Sequence, residues 1–419
     1  MLAINGGSPV RTREWAPDYI STEQIGLEEK ERVLHVLEKR RLFRWESDQI
    51  KDSETAQLEE FYSRNLNVKH ALAVNSGSSA LVTALVALGI GPGDEVIVPS
   101  YTFIATASAV LIAGAVPVIV NVDDTLTLCP KSVENAITKY TKAVIPVHMR
   151  GIPSQMDIII SIANRYNLKV IEDVAQANGG SFFGEKLGSI GDVGCFSFQQ
   201  SKLITSGEGG MLVTNDDHVY ERACTYHDGG LGFRKTSASL SKISFPAANF
   251  RMSELNAAIG LAQSERINEL IVTLQGIKTR IIDGIRDLDF ITMHRVPDPK
   301  GEISTNLIFY ANNSSLALKF SNCLLHEGIP NGVLRNRGFA DQHIYTNWDY
   351  IIKKRGISSV WNPWSKETYK GNVEYSLDMC KETLSFLSRA ITIPLHPSLS
   401  EADCNDAIEA IRKVAASFN

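Results

Sequence analysis

Between Asp94 and Val213 short apolar runs alternate with helix-length segments. The runs 96–98, 116–122, 143–147, 193–198 and 211–213 are largely hydrophobic, as strands buried on both faces are, and 169–172 carries the apolar pair Val170-Ile171. Between them Val133, Ala136, Ile137 and Tyr140 recur at helical spacing. This alternation predicts a mostly parallel sheet covered by helices on both faces. No charge falls between Glu95 and Asp123, but Pro99, Gly114 and Pro117 divide that stretch into a strand, a helix over about 102–113 and a second strand. Each piece is too short to span a bilayer, so no membrane role is expected.

Upstream, Leu58, Phe61 and Tyr62 fall at helical spacing. After Val74, Gly-Ser-Ser-Ala opens a segment with Leu81, Ala84, Leu85 and Leu88 on one face. A helix that begins on small residues leaves its first N–H groups and the positive end of its dipole open to an anion. Beyond residue 265 the pattern shifts to separate strands and amphipathic helices, including Leu316, Phe320, Cys323 and Leu324 before Gly328. A last helix carries Ala407, Ile411, Val414 and Phe418 behind a capping box, Ser400 to Asp403. A chain of 419 residues exceeds the size of one growing core. Two domains are expected, with residues 1–265 forming an arm and a large α/β domain and residues 266–419 a smaller α+β domain.

Composition narrows the function. A net charge of −5 with only short basic pieces, such as Lys39-Arg40-Arg41, provides no stripe for nucleic acid. The six cysteines are scattered without Cys-x-x-Cys or zinc spacing, and the start has no signal-peptide pattern, so reduced thiols, no metal and a cytoplasmic enzyme are expected. Motifs of P-loops, zinc proteases and serine hydrolases are absent. The Gly-rich segment 89–94 follows a helix and precedes a strand, opposite to a dinucleotide fingerprint.

The candidate chemistry sits at strand ends. Val170 and Ile171 lead to Glu172 and Asp173, and the run 193–198 leads to Lys202. Ligands of open α/β sheets bind at the carboxyl ends of strands, where an acid and an amine can face one molecule.

These residues belong to a wider set: N-S-G-S-S-A (75–80), G-D-E-V-I-V-P-S-Y-T-F-I-A-T (93–106), P-V-H (146–148), E-D-V-A-Q-A (172–177), F-S-F-Q-Q-S-K (196–202), G-E-G-G (207–210) and N-F-R-M-S-E-L-N-A-A (249–258). In this order the chain resembles the DegT/DnrJ/EryC1/StrS sugar aminotransferases. The resemblance implies a fold-type I transferase with a mostly parallel seven-stranded sheet and the cofactor pyridoxal 5'-phosphate. By the same resemblance, Lys202 matches the Schiff-base lysine and Asp173 the acid beside the pyridine nitrogen. Ser78, Ser79 and Ser197 match phosphate-binding serines. Phe103 matches the ring that stacks on the pyridine, and Gln176 the group near the phenolic oxygen. Asn249 matches a residue that reaches the cofactor of a neighbouring subunit, which implies a homodimer with shared sites.

His148 is a candidate substrate contact, although a lone strand-end histidine is more often a structural hydrogen-bonding group. Arg150 stands where the family pattern differs and would favour an acidic substrate. The aromatic cluster Tyr345, Trp348, Tyr350, Trp361, Trp364 and Tyr369 reads as core or as a specificity region. The expected reaction moves an amino group from glutamate or glutamine to a keto-sugar, a cyclitol ketone or a keto-sugar acid by ping-pong kinetics. V-H-M-x-G, Y-x-N-W (345–348) and H-D-G-G (227–230) are similar to the branch that aminates 8-oxo-3-deoxy-octulosonate. A sugar dehydratase and a non-catalytic pyridoxal phosphate sensor are the competing readings.

Overall fold

The structure, a computed structural model, describes residues 1–17, 19–47, 49–230, 244–336, 338–358 and 361–418. Its centre is a sheet built from β1 (His70–Val74), β2 (Glu95–Pro99), β3 (Val116–Val120), β4 (Thr141–Val144), β5 (Lys169–Asp173), β8 (Val193–Ser197) and β9 (Gly210–Thr214). A two-stranded hairpin, β6 (Ser181–Phe182) and β7 (Glu185–Lys186), lies between β5 and β8 in the chain. The order across the large sheet is β1-β9-β8-β5-β4-β2-β3, and β9 alone runs against its neighbours. The run 211–213 forms β9, and five of the other six strands also come from expected apolar runs. The sixth, β1, is Ala-rich and weakly β-forming, and its full pairing with β9 from His70–Thr214 to Val74–Gly210 holds it as a strand.

Strand residues alternate between two apolar layers. Leu72, Val74, Val96, Val98, Ile171 and Cys195 face one layer, which includes Leu81, Ala84 and Leu85 of the helix Gly77–Ala87. Ala71, Ala73, Ile97, Val170 and Phe196 face the other, with residues of the helices Glu54–Leu66, Met156–Tyr166 and Ile267–Ile285. The expected helix near 102–113 spans Ala105–Ile112.

A second, antiparallel sheet contains β10 (Ile291–Met293), β11 (Asn306–Ala311), β12 (Gly332–Val333) and β13 (Ala390–Pro394) in the order β10-β11-β13-β12. The helices Ser314–His326 and Glu401–Ala415 pack with it, and the capping box at Ser400 and Asp403 forms as expected. We propose that the two sheets mark two domains, 1–265 and 266–419. Their cores are continuous, and Ile344, Tyr345, Trp348 and Tyr369 return to the layer that covers the large sheet. Most of the aromatic cluster is therefore packing: Tyr345 and Trp348 have no exposed surface.

The first residues do not lie on the large sheet. Glu327 accepts from the amides of Ala3 (2.9 Å) and Val10 (3.1 Å), and Arg11 pairs with Asp403 (2.6 Å) and Asp406 (2.8 Å) of the last helix. This anchor carries Trp15 to Pro17, Tyr19 and Ile20 over a cavity between the sheets. Among the described residues no helix is long and apolar enough to cross a membrane.

The Arg11 side chain is 3% exposed and shares Asp403 and Asp406 with the more exposed Arg13, so Arg11→Met removes the buried half of this ion-pair cluster. Denaturant titration should show a loss of about 1–3 kcal/mol, the worth of the charge-assisted hydrogen bonds removed. Burial pushes the pKa of Asp403 up, but hydrogen bonds from Ser400 and the charge of Arg11 outweigh it and hold the group at about 2. A depressed carboxylate contributes stability above its unfolded pKa of about 3.9, and this is lost as pH falls. The stability gap between wild type and Asp403→Asn should be full at neutral pH and close as pH drops through about 2.

Candidate active site

Lys202 lies in the loop after β8, its amide donating to Gln199 O (2.9 Å). It lines two cavities at once. One, of about 390 Å³, is walled by Ser78, Phe103, Asp173 and Ser197 at the ends of the large-sheet strands. The other, of about 630 Å³, lies between the sheets and is lined by Arg150, Thr305, Asn306 and Thr392. Gln176 and His343 also border both. The amine of Lys202 has no hydrogen-bond or ion-pair partner among the described residues. Burial lowers its pKa; Asp173 opposes the shift and Arg150 adds to it. The neutral, nucleophilic form is thereby favoured.

Asp173 ends β5 and is 4% exposed. Its carboxylate accepts from Thr106 Oγ1 (2.9 Å) and the Ala175 amide (3.1 Å). Burial raises its pKa, while these hydrogen bonds and the Lys202 charge pull it down. Burial prevails, so its pKa is raised overall, and the two hydrogen bonds fix the acid in place on the cavity wall.

Across the same cavity, Ser76 caps the helix Gly77–Ala87 by accepting from the Ser79 amide (3.0 Å). The amides of Gly77 and Ser78 remain without partners among the described residues, which makes an anion seat. A Cβ on Gly77 would lie 2.7 Å from Ser197 Cβ, so only glycine lets the helix start approach Ser197. Ser79 differs from expectation: its hydroxyl donates to Asn75 Oδ1 (2.6 Å) and it does not line the cavity, whereas Ser76 does.

Phe103 is 45% exposed and offers a ring face to the cavity, tilted on His343 at 5.3 Å. Gln176 Oε1 accepts from the Arg150 amide (3.1 Å). Arg150 adopts φ +58° and donates from Nε to Tyr101 (3.1 Å); its terminal nitrogens have no partner among the described residues. Asn249 is exposed and lines neither cavity, its Oδ1 accepting from the Arg251 amide (3.3 Å).

The candidate role of His148 is corrected. The ring has no exposed surface, Nδ1 accepts from the Ser154 amide (3.0 Å) and Nε2 donates to Glu172 (3.1 Å), so neither nitrogen can meet a substrate. Sequence reading missed His343, which borders both cavities and is held by Asp341 (2.7 Å). Burial lowers its pKa against the opposing hydrogen bond that its ring donates to Asp341. Only its place just ahead of the aromatic cluster could have marked it.

An anion seat, a buried acid, an exposed ring face and a free amine in one cavity fit pyridoxal phosphate. Fold and site define the class of pyridoxal-phosphate-dependent aminotransferases. Residues 25–359 match the DegT/DnrJ/EryC1/StrS aminotransferase family, and the chain belongs to it. It is similar to the GDP-perosamine synthase of Caulobacter vibrioides, 46% identical over 216 residues, 51% of this chain and 57% of the relative. It also resembles the L-glutamine:2-deoxy-scyllo-inosose aminotransferase of Streptoalloteichus tenebrarius, 38% identical over 64% of each chain. The match thus spans less than two-thirds of either relative's length. Among solved structures, 3-amino-5-hydroxybenzoic acid synthase superposes with a TM-score of 0.79 at 26% identity, covering 98% of this chain and all of that one.

Two variants test the site. Gly77→Ala should cost about 1–3 kcal/mol in thermal or denaturant unfolding and weaken cofactor retention on dialysis. Lys202→Ala should leave no cofactor covalently attached after borohydride treatment, read by mass spectrometry.

Proposed function

We propose that this enzyme moves an amino group from glutamine or glutamate to a keto-sugar, with donor and acceptor taking turns at Lys202 in a ping-pong cycle. The observation that carries this reading is the position of Lys202 at the junction of two cavities, one fitted to the cofactor and one open to substrates. Bound pyridoxal phosphate supplies an aldehyde that accepts an amino group and a ring that withdraws electrons. The Gly77 and Ser78 amides, with Ser78 and Ser197, would hold the phosphate. Phe103 would cover a ring face, Gln176 would lie near the phenolic oxygen, and Asp173 would keep the ring nitrogen protonated. The Lys202 amine takes the proton from the donor's α-carbon, and its lowered pKa suits that work. Arg150, with free terminal nitrogens in the substrate cavity, binds a carboxylate.

The names of the two relatives support a nucleotide-linked sugar or a cyclitol ketone as acceptor and glutamine as donor. Arg150 also favours a keto-sugar acid such as 8-oxo-3-deoxy-octulosonate as a second reading. The Y-x-N-W segment adds nothing to that reading, because Tyr345 and Trp348 are fully buried core. The working unit is a homodimer in which Asn249 completes the partner's site, a reading supported by its exposure outside both cavities. All six cysteines are free thiols, which supports the cytoplasm.

Glutamine or glutamate should shift the absorbance band of the bound cofactor, and the acceptor ketone should restore it; a band unmoved by either donor would remove the proposal. Arg150→Met should weaken the donor half-reaction by a factor of about 10–100, the worth of a charge-assisted hydrogen bond. Mixing inactive Lys202→Ala with Asn249→Ala protein should restore part of the activity, whereas additive residual rates would show unshared sites.

A further inference from the structure

The junction of the two cavities holds a second base. Among the described residues Gln176, Ser201, Lys202 and His343 line both cavities, and of these only Lys202 and His343 are bases. The His343 ring is held at one nitrogen. Asp341 Oδ1 accepts from the His343 amide (3.0 Å) and from its Nδ1 (2.7 Å). The loop is tied in turn to the Phe103 segment, the Thr102 amide donating to His343 O (3.0 Å) and the Ile104 amide to Gln342 O (3.0 Å).

A carboxylate at Nδ1 keeps the proton on that nitrogen and leaves a lone pair at Nε2. Nε2 has no partner among the described residues, and the side chain keeps 25% of its surface open. The charges about the ring are Asp341, Arg150 and Lys202, while Asp173 and Glu208 line only the smaller cavity. Burial lowers the pKa of the ring, joined by the charges of Arg150 and Lys202 and opposed by Asp341, so the lone pair is available at neutral pH. An amino donor arrives as an ammonium, which has no lone pair with which to bond to carbon. Lys202 is engaged at that moment, because its nitrogen is the one that would hold the cofactor, and Arg150 is a cation. That leaves His343 as the base that meets the donor.

We propose that His343 Nε2 frees the amino donor for reaction: the N–H bond of its α-ammonium breaks, the electron pair stays on that nitrogen, and the proton binds the Nε2 lone pair. Asp341 stabilises the imidazolium so formed and acts as the positioning residue of the pair. When the aminated product forms, the proton passes from Nε2 to its amine, so the ring ends the cycle neutral and one ammonium has replaced another. This rests on the aminotransferase reading above and adds to Lys202, which works on the donor's α-carbon, a separate base for its nitrogen.

The test follows the donor half-reaction of the holoenzyme by its cofactor band, with glutamine and glutamate as probes, across the pH range from histidine to amine titration, in wild type, His343→Gln and Asp341→Asn. His343→Gln should lose about 100-fold at neutral pH, and the loss should shrink as pH rises through the donor's own amine pKa, where the donor arrives with its lone pair free. A loss by one factor at every pH is a structural effect and overturns the proposal, as does no loss. Wild-type efficiency should fall as pH drops below the ordinary histidine value of 6.5. Asp341→Asn withdraws a charge that raises the His343 pKa, so it should move that fall to lower pH; a fall that stays in place or moves up overturns the pairing. Nitrogen NMR of histidine-labelled wild type without cofactor, with the His343 signal identified by its loss in His343→Gln, reads the ring without turnover. A proton on Nδ1 and none on Nε2 at neutral pH is expected, and a proton on Nε2 overturns the base. If wild type responds to a donor and His343→Gln responds equally, the base alone fails; if wild type responds to neither donor at any pH, the aminotransferase reading fails and the base with it.

Discussion

Two neighbouring carboxylates at the end of β5 must each be satisfied, on opposite faces of one strand, and the site depends on that requirement. Glu172 has no exposed surface. It accepts from the amides of Gly188 (2.9 Å), Ile190 (2.8 Å) and Gly191 (2.7 Å), and from His148. A buried charge without such partners would be strongly destabilising, so these contacts hold the 188–191 loop and the His148 ring in one arrangement. His148 passes the constraint on through the Ser154 amide, and the turn between them carries Arg150. Asp173, one residue further, faces the cavity because successive strand residues point to opposite sides.

The two cavities give this arrangement its use. The smaller is closed by elements of the large sheet and contains the acid and the anion seat. The larger lies between the sheets and is roofed by the anchored arm, so its shape depends on parts distant in sequence: Trp15, Arg150, Asn331 and His396. Lys202 belongs to both and has its amine free. Burial, joined by the nearby Arg150, lowers the pKa of this amine, and the charge of Asp173 opposes the shift.

The large sheet was legible because buried parallel strands need unbroken apolar runs, and the end of each run marks where ligands bind. Asp173 and Lys202 could be picked out on that ground, and the resemblance supplied their roles. The resemblance also placed Ser79 on the phosphate, and the strand-end position made His148 a candidate substrate contact. Each is instead absorbed by a local hydrogen bond, to Asn75 and to Glu172, that depends on side-chain direction and not on residue type. The aromatic cluster showed the same ambiguity, since Trp348 and Tyr345 are core while His343 beside them reaches the cavity.

By itself the sequence determined the strand–helix alternation, the helix start suited to an anion and the acid and amine at strand ends, because each follows from local periodicity and residue chemistry. Only the tertiary structure decided which polar atoms are already paired. The free amine of Lys202, the closed ring of His148 and the open Nε2 of His343 are the same kinds of group in a sequence. Packing between segments hundreds of residues apart separates them, because a hydrogen bond is directional and can be spent only once.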